Sequence, residues 1–496
     1  MRTLSPEEIK MADALTVEKQ GVRSIELMER AAFQFAMHLL GKFGYLENGL
    51  IVCGPGNNGG DGLALARILA SWSLKVSVFL PDGFSTFSAD YQENRKQLPD
   101  SVDVFTGNAQ ALNSICSRFE WIGDALFGVG LNRPLHGDVL DLVSTMNSFE
   151  KLKISVDVPS GLMDKMPKDA LAFKADWIGT FHSPKLSFMF ASNQDYVNDF
   201  EVINIDLEVP ETRGPALVYL QKDDVKQLLK SRKKFTHKGT YGHALLIAGS
   251  YGKLGAAVLS SKATLAVGAG LLTVFVPECG YSVLQTSLPE AMCLTGKGQL
   301  KITDLPDLEI YQAIGSGPGL GKDAKTAEAI KELLTRSKFP LVLDADALNI
   351  LAENKDWLKK IPKNSLLTPH PKEFERLVGK VGSGDEMLEK AKKFTRKYKV
   401  ILILKGAHTA IVLPDGSVYF NSTGNPGMAK GGSGDLLTGM LTGFLAQHYT
   451  PLEASLLGVY IHGLAGDLAA EKYGTESFLA SHLIGEIGKA MSLLKE

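Results

Sequence analysis

Two segments of the 496-residue chain set glycines beside carboxylates in the pattern that phosphate chemistry needs. The first reads Gly54-Pro55-Gly56-Asn57-Asn58-Gly59-Gly60-Asp61-Gly62; it comes after an apolar run at 50–53 and precedes the helical pattern LALARILASW. Glycines at a strand-to-helix crossing let backbone N–H groups approach a ligand phosphate at the positive helix end. The second reads Asn425-Pro426-Gly427-Met428-Ala429-Lys430-Gly431-Gly432-Ser433-Gly434-Asp435 and precedes LLTGMLTGFLAQ. Consecutive N–H groups there would form an anion hole for charge developing on a transferred phosphoryl group, and Asp435 stands where a base could take a proton from an attacking hydroxyl. The alternatives are structural: a turn that lets the strand reverse, and a carboxylate that only caps its helix. The chain supplies its own control, since Gly382-Ser383-Gly384-Asp385 repeats the GSGD letters after a helix-like stretch, where no strand delivers Asp385 to a sheet crevice.

Other strand-like runs end in polar groups. Asp124 precedes Phe127-Gly128-Val129-Gly130-Leu131-Asn132-Arg133-Pro134, and Asp157 lies in Val156-Asp157-Val158-Pro159-Ser160-Gly161. In an open parallel sheet, ligands bind beyond the carboxyl ends of the strands, so these loops can share a crevice with Asn58. Asn58, Asp124 and Ser160 could offer oxygens to a cation, and Asp157 could act as an acid or base; each Asp alone could equally be a cap. In the second half, Gly315-Ser316-Gly317-Pro318-Gly319-Leu320-Gly321 and Lys405-Gly406-Ala407-His408-Thr409 come after strand-like runs, and either could bring backbone close to a nucleotide. His370 sits at a strand-to-helix corner, where a histidine often serves as a hydrogen-bonder, while Asp344 and Asp346 form a strand-end acidic pair whose role stays open.

The elements that must position these groups are short apolar strands alternating with helix-length segments. In the first half the runs fall at 50–53, 75–80, 121–126, 153–158, 176–182 and 201–207. In the second they fall at 243–248, 271–276, 311–315, 340–344, 365–368 and 400–405, with a hairpin after them over 409–421 that has Pro414-Asp415-Gly416 at its turn. That alternation predicts α/β folds with parallel sheets covered on both faces. Between the halves, Pro, Gly and a basic run give the composition of a linker, at 211–235.

Composition excludes several function classes. Lys+Arg number 53 against 55 Asp+Glu, a formal net charge of −2, so nothing in the total favours nucleic acid as a partner. Cys53, Cys116, Cys279 and Cys293 show neither zinc spacing nor a CxxC pair. No apolar run approaches the roughly 18 residues of a membrane span, and the first residues lack a signal-peptide core. Ser5-Pro6-Glu7-Glu8 instead predicts a capped helix start. A cytoplasmic protein without membrane attachment is expected.

Together, NNGGDG, GVGLNRPLHG and VDVPSG closely resemble the N-terminal domain of the bifunctional NAD(P)H-hydrate repair enzymes, an NAD(P)HX epimerase, over about residues 1–210. The resemblance implies a Rossmann-like three-layer domain that binds hydrated NADH or NADPH through Asn57, Asn58, Gly59, Gly60 and Asp61 and through Gly128, Val129, Gly130, Leu131, Asn132, Arg133 and Pro134. It also implies potassium on Asn58, Asp124 and Ser160, and Asp157 at the reacting nicotinamide. The set GSGPGLG, DADALN, TPHPKEFERL, KGAHT and NPGMAKGGSGDLLTGM closely resembles the dehydratase domain of the same enzymes, within the ribokinase-like superfamily, over about residues 225–494. This second resemblance implies ADP held by Lys405, Gly406, Ala407, His408 and Thr409 and by the ten residues Asn425 to Gly434. Gly255, Gly319, His370 and Asp435 would then contact the hydrate, and magnesium would accompany the ADP. Gly255 belongs to the most loosely matching segment, and Lys372 stands where many relatives carry Gly.

The resulting expectation is an enzyme that interconverts the (6R)- and (6S)-hydrates of NADH and NADPH and dehydrates the (6S)-form at the expense of ADP, yielding NAD(P)H, AMP and phosphate. A homo-oligomer is expected. The rival reading is a ribokinase-like vitamin or sugar kinase whose N-terminal domain binds a nucleotide without catalysis; a scaffold role with a dead first crevice is a third. Intact Asn58, Asp124 and Asp157 argue against the last.

Overall fold

Helix α1 (Pro6–Gln20) starts where the sequence sets Ser5 before Pro6 and Glu8. Ser5 Oγ accepts from the Glu8 N–H and the Glu8 carboxylate accepts from the Ser5 N–H, so the capping box closes as expected. The computed structural model describes residues 1–131, 133–167, 169–211 and 214–496. The chain divides into two compact units, one of residues 2–214 with 383–385, the other of residue 1, 215–382 and 386–496.

In the first unit, α1 is followed by α2 (Ser24–Phe43), β1 (Gly49–Cys53), α3 (Asn57–Ser71), β2 (Val76–Pro81), α4 (Ala89–Lys96), β3 (Asp103–Gly107) and α5 (Ala109–Cys116). Then come β4 (Trp121–Ala125), α6 (Asp138–Asn147), β5 (Leu152–Val156), β6 (Trp177–Phe181) and β7 (Phe200–Ile203). All seven strands are parallel, in the order β3-β2-β1-β4-β5-β6-β7. The order reverses between β1 and β4, so the crevice that a doubly wound sheet opens lies at the ends of those two strands. Leu50, Ile51 and Val52 of β1 are wholly buried, as a strand covered on both faces requires.

The second unit begins with β8 (Leu217–Tyr219) and α7 (Lys222–Lys226), then β9 (His243–Ile247), α8 (Leu254–Ala266), β10 (Leu271–Val276), α9 (Tyr281–Ser287) and β11 (Met292–Thr295). It continues through β12 (Ala313–Ser316), α10 (Ala324–Arg336), β13 (Leu341–Leu343), α11 (Ala345–Glu353), β14 (Leu366–Leu367), α12 (Pro371–Val378) and α13 (Gly384–Tyr398). Last are β15 (Ile401–Leu404), the hairpin β16 (Ala410–Val412) and β17 (Val418–Phe420), and helices α14 (Ser433–Ala446), α15 (Pro451–Tyr473) and α16 (Ala480–Leu493). Its ten strands run β11-β10-β9-β12-β13-β14-β15-β16-β17-β8, with the reversal between β9 and β12. Helix α14 packs its buried face against α8 and the sheet, and Gly439 lets it approach the backbone of Ser260 so closely that no β-carbon fits between them.

Two expectations change. Asn57-Asn58-Gly59-Gly60-Asp61 is not a loop: it forms the first turns of α3. Glycine is a poor helix former, and it is used here because of packing. A β-carbon on Gly59 would overlap the carbonyl oxygen of Gly54, and one on Gly62 would meet Ala125 Cβ and Cys53 Sγ. The stretch read as a linker at 211–235 also holds structure, since β8 pairs in parallel with β17 and α7 comes after it.

The overlap gives a direct test. Gly59→Ala is expected to destabilise the first unit by about 1–3 kcal/mol, the usual cost of overpacking. Gly41→Ala, at an exposed helical position with open space around the new methyl group, should instead stabilise it by about 0.5–1 kcal/mol. Thermal and urea unfolding of the two variants would show shifts of opposite sign.

Candidate active sites

A cavity of about 700 Å³ opens at the β1/β4 reversal of the first unit. Its wall includes the start of α3 at Gly56, Asn57 and Asn58, then Asp61, the turn Gly128-Val129-Gly130-Leu131, Asp157, Lys185, and Asp13 from α1. The first N–H groups of α3 have no side-chain cap, which leaves donors and the positive end of a 15-residue helix at the cavity.

Asp157 comes directly after β5 in a left-handed conformation, φ +66°, a strained geometry of the kind that persists at functional sites. Three donors converge on one oxygen of its carboxylate. Oδ1 accepts from the Phe181 N–H at 3.0 Å and from Thr180 Oγ1 at 3.2 Å, and pairs with Lys185 Nζ at 2.8 Å. The Lys185 ammonium also donates to the carbonyls of Phe181 and Ser183, and its side chain is only 6% exposed. Around this pair the other acids resist ionisation. Burial, then the charge of Asp157, push Asp13 up to about 6, against the pull of Lys185. Asp61 is driven well above the usual carboxylate range by burial and by Asp157, Asp13 and Asp90.

Asp124 ends β4 fully buried, with its two oxygens taking Ser160 Oγ at 2.6 Å, the Ser160 N–H at 2.7 Å and the Leu126 N–H at 3.2 Å. Burial outweighs these bonds and raises its carboxyl to about 6. Asn58 is 8% exposed, and among the described residues neither its Oδ1 nor its Nδ2 has a hydrogen-bond partner. A buried amide oxygen with no partner is the mark of a missing donor or cation.

In the second unit the loops after β9, β12, β13, β14 and β15 reach the same edge of the sheet as the start of α14. Asp344, directly after β13 and 1% exposed, binds Lys405 Nζ through Oδ1 at 2.9 Å and Thr438 Oγ1 of α14 through Oδ2 at 2.7 Å. Burial works against the Lys405 ammonium, but Asp344, with Glu373 and Asp435, holds it above its ordinary value. Lys405 is thereby fixed beside Gly434, where a β-carbon would stand 3.3 Å from its Nζ. Asp435, on the first turn of α14, is pushed up to about 6 by burial and by Asp344 and Asp346, with Lys405 opposing. His462 lies under this turn, lowered to about 4 by burial, and its neutral ring pairs with Ser433 Oγ at 3.2 Å.

Comparison with known proteins gives the family of the chain. A family model described as NAD(P)H-hydrate dehydratase matches residues 244–489, and one described as YjeF-related protein N-terminus matches residues 24–187. The bifunctional NAD(P)H-hydrate repair enzyme of Thermofilum pendens is 35% identical over 100% of this chain and 97% of its own. The chain belongs to the bifunctional NAD(P)H-hydrate repair enzymes. The Escherichia coli repair enzyme is 30% identical over 98% of this chain and 93% of its own. A ribokinase-like superfamily protein of Enterococcus faecalis superposes with a TM-score of 0.51 at 29% identity, covering 58% of this chain and 100% of that one. A repair enzyme of this family joins an epimerase to a dehydratase. Because the match to both halves is continuous, the kinase alternative with an idle N-terminal domain is not favoured.

Within this repair enzyme the expected site residues separate into groups. Asn57, Asn58, Asp61, Gly128, Val129, Gly130, Leu131 and Asp157 come together on the first cavity. Gly59 and Gly60 are buried behind it against Gly54 and Met28, Arg133 and Pro134 are exposed beyond its wall, and Asn132 lies outside the described residues. Ser160 and Asp124 are hydrogen-bonded to each other. In the second unit Gly319 adopts φ +64° beside the Lys253 carbonyl, and Gly255 is open at the start of α8. His370 is the N-cap of α12, bonded reciprocally with Glu373, so the structural role open to it is filled while its ring stays 44% exposed. The Lys430 ammonium is engaged by the carbonyls of Glu476 and Phe478, Asn425 binds Asp467, and His408 Nδ1 faces the Asn421 carbonyl. Gly406 and Thr409 close a turn through Thr409 Oγ1, which accepts from the Gly406 N–H and donates to its carbonyl. Asp385 accepts from Ser383 Oγ at the start of α13.

Four residues escape a reading of the sequence: Asp13, Lys185, Asp344 in its actual role, and His462. A lone lysine after a strand has no motif, although Lys185 beyond an apolar run is the sort of cation that is buried only with a partner. If Asp344 anchors Lys405, Asp344→Ala should lower the stability of the second unit by about 3 kcal/mol, the lower end for breaking a buried pair because Lys405 is 23% exposed. Chemical denaturation would check it, and a change below about 1 kcal/mol would count against the anchoring role.

Proposed function

We propose that the cavity of the first unit binds the hydrates of NADH and NADPH and interconverts their (6R)- and (6S)-epimers, and that the crevice of the second dehydrates the (6S)-hydrate with ADP. The observation that carries this is the same in both units: a positioned carboxylate stands beside an uncapped helix N-terminus at the reversal point of a parallel sheet. A volume near 700 Å³ lies within the range of small-molecule sites, about 300–1,000 Å³. The N–H groups of Asn57 and Asn58 would face the dinucleotide phosphates and the 128–131 turn would run along the ligand, with Gly59, Gly60 and residues 132–134 shaping the back and rim. Asp157 meets the nicotinamide ring.

Asn58, Asp124 and Ser160 fit a large monovalent cation, since the unpartnered Asn58 oxygen needs one and all three donors are oxygens. Potassium on them would supply fixed positive charge that ties the α3 start to the loops after β4 and β5.

In the second unit the terminal phosphoryl group of ADP lies against the N–H groups of Gly431, Gly432, Ser433 and Gly434, with Lys405 neutralising its charge. The remaining residues of 405–409 and 425–430 hold the nucleotide, while Gly255, Gly319 and His370 place the hydrate. Asp435 takes the proton of the hydrate's hydroxyl as its oxygen attacks phosphorus and AMP departs. The new phosphate ester then loses phosphate from C6 and a proton from C5, which restores the ring double bond. Magnesium would be held by Asp346 and Asp435, whose carboxyls lie close enough to act on each other, and it would neutralise phosphoryl charge.

Two outcomes test this reading. Asp435 acts as a base only when ionised, so dehydratase kcat/KM should fall as the pH drops through about 6, and Asp435→Asn should cost on the order of 100-fold without slowing epimerisation. Recovery of the reduced-nicotinamide absorbance from (6S)-hydrate and ADP measures both; an unimpaired Asp435→Asn enzyme overturns the assignment. For potassium, the melting temperature of the first unit should rise in KCl relative to NaCl, and Asn58→Ala should abolish the difference.

A further inference from the structure

One wall of the first cavity is made by α1, which precedes the sheet and contributes Ile9, Lys10, Asp13 and Val17. Asp13 lies on this helix near the buried residues Ala12 and Thr16, and its side chain joins Asp61, Asp157 and Lys185 on the cavity wall. Among the described residues no hydrogen bond or ion pair engages its carboxyl. A half-buried carboxyl with no structural partner, facing the cavity that holds the reacting carboxylate, has no evident task in stability.

We propose that Asp13 is a second catalytic residue of the epimerisation, the acid that protonates the ring nitrogen while Asp157 takes the hydroxyl proton. The inference rests on reading this cavity as the epimerase site. The carbon to be inverted, C6, carries the hydroxyl and is bonded to the ring nitrogen N1. Asp157 accepts the hydroxyl proton, the O–H electron pair forms the C6 carbonyl, and the C6–N1 bond breaks with its pair going to N1. Asp13 gives N1 its proton. The product is an open-chain aldehyde, and rotation about C5–C6 turns its other face toward N1. On closure N1 attacks the aldehyde, Asp13 takes back the N–H proton, and Asp157 returns its proton to the oxygen. Atoms and charge balance, and both carboxyls end in their starting states.

That last property matches the surroundings of the two groups. Asp157 lies 2.8 Å from the Lys185 ammonium, and the second carboxyl reaches the cavity from a different element, α1. Burial, with Asp157 beside it, raises Asp13 to about 6, near the range in which one group can give and retrieve a proton. The charged groups facing it are Asp157, Lys185, Asp61 and Lys10.

The experiment uses the full chain with (6R)-NADHX as substrate and (6S)-NADHX as internal control, both read by absorbance with ADP present. Asp13→Asn should lower kcat for the (6R)-hydrate on the order of 100-fold with little change in KM, leave the (6S)-rate unchanged, and be partly rescued by Asp13→Glu. In the wild type, epimerisation should weaken as the pH rises through about 6, because the acid is lost, and residual activity of Asp13→Asn should lack that limb. Asp157→Asn is run in parallel. If it is inactive while Asp13→Asn stays within about twofold of wild type, or loses only KM, the proposal is overturned and the site reading stands. If both variants epimerise normally, the site reading itself is wrong.

Discussion

Backbone-to-backbone contact at the ends of adjacent strands is the constraint on which both sites depend. Gly54 at the end of β1 lies against the carbonyl of Leu126, Gly59 lies against Gly54, and Gly317 after β12 lies against the carbonyl of Asp344. None of these contacts leaves room for a β-carbon. They draw the start of α3 down onto the strand ends, which buries Asn58 and directs uncapped N–H groups at the cavity. In the second unit the same device draws the loops after β12 and β13 together, so that Asp344 can reach both Lys405 and α14.

On that scaffold the carboxylates are treated in two ways. Asp157 and Asp344 are each tied to a lysine and to hydroxyl or N–H donors, which fixes their position. Asp13 and Asp435 keep fewer bonds and are raised toward neutrality by burial and by the fixed acids near them. Each unit therefore sets one carboxylate anchored by a lysine beside one that burial pushes upward. Separation of two acids by environment rather than by residue type is a recurrent way to run acid and base chemistry in one cavity.

Burial decides how much of this is legible in the sequence. The interior strands show as unbroken apolar runs whose limits fall within a few residues of the folded strands. The three strands not read from the sequence, β3, β8 and β11, are all sheet edges: Asp103 and Thr106 break the run in β3, while β8 and β11 are apolar stretches of only three and four residues. Asn57 to Asp61 reads as a loop because its glycines mean close packing, which only the neighbouring strand reveals. The motif carboxylates Asp124, Asp157 and Asp435 stand out because they come after strands or open helices in recognisable company. Asp13 and Lys185 do not, since what gives each its meaning is a partner far away in the chain.

Strand β8 also bears on the order of assembly. It is the first element of the second unit to be synthesised, yet its partner is the last strand; Ala216 bonds Ser417, 201 residues further on. The first unit has all seven of its strands once Ile203 has been made, and its sheet can close while the rest is still being translated. The second must hold residues 217–219 unpaired until the hairpin at 410–420 exists, so its sheet closes late and all at once. A contact of such range makes folding slow and keeps an unpaired edge exposed during synthesis. The two activities, though joined in one polypeptide, thus mature at different times.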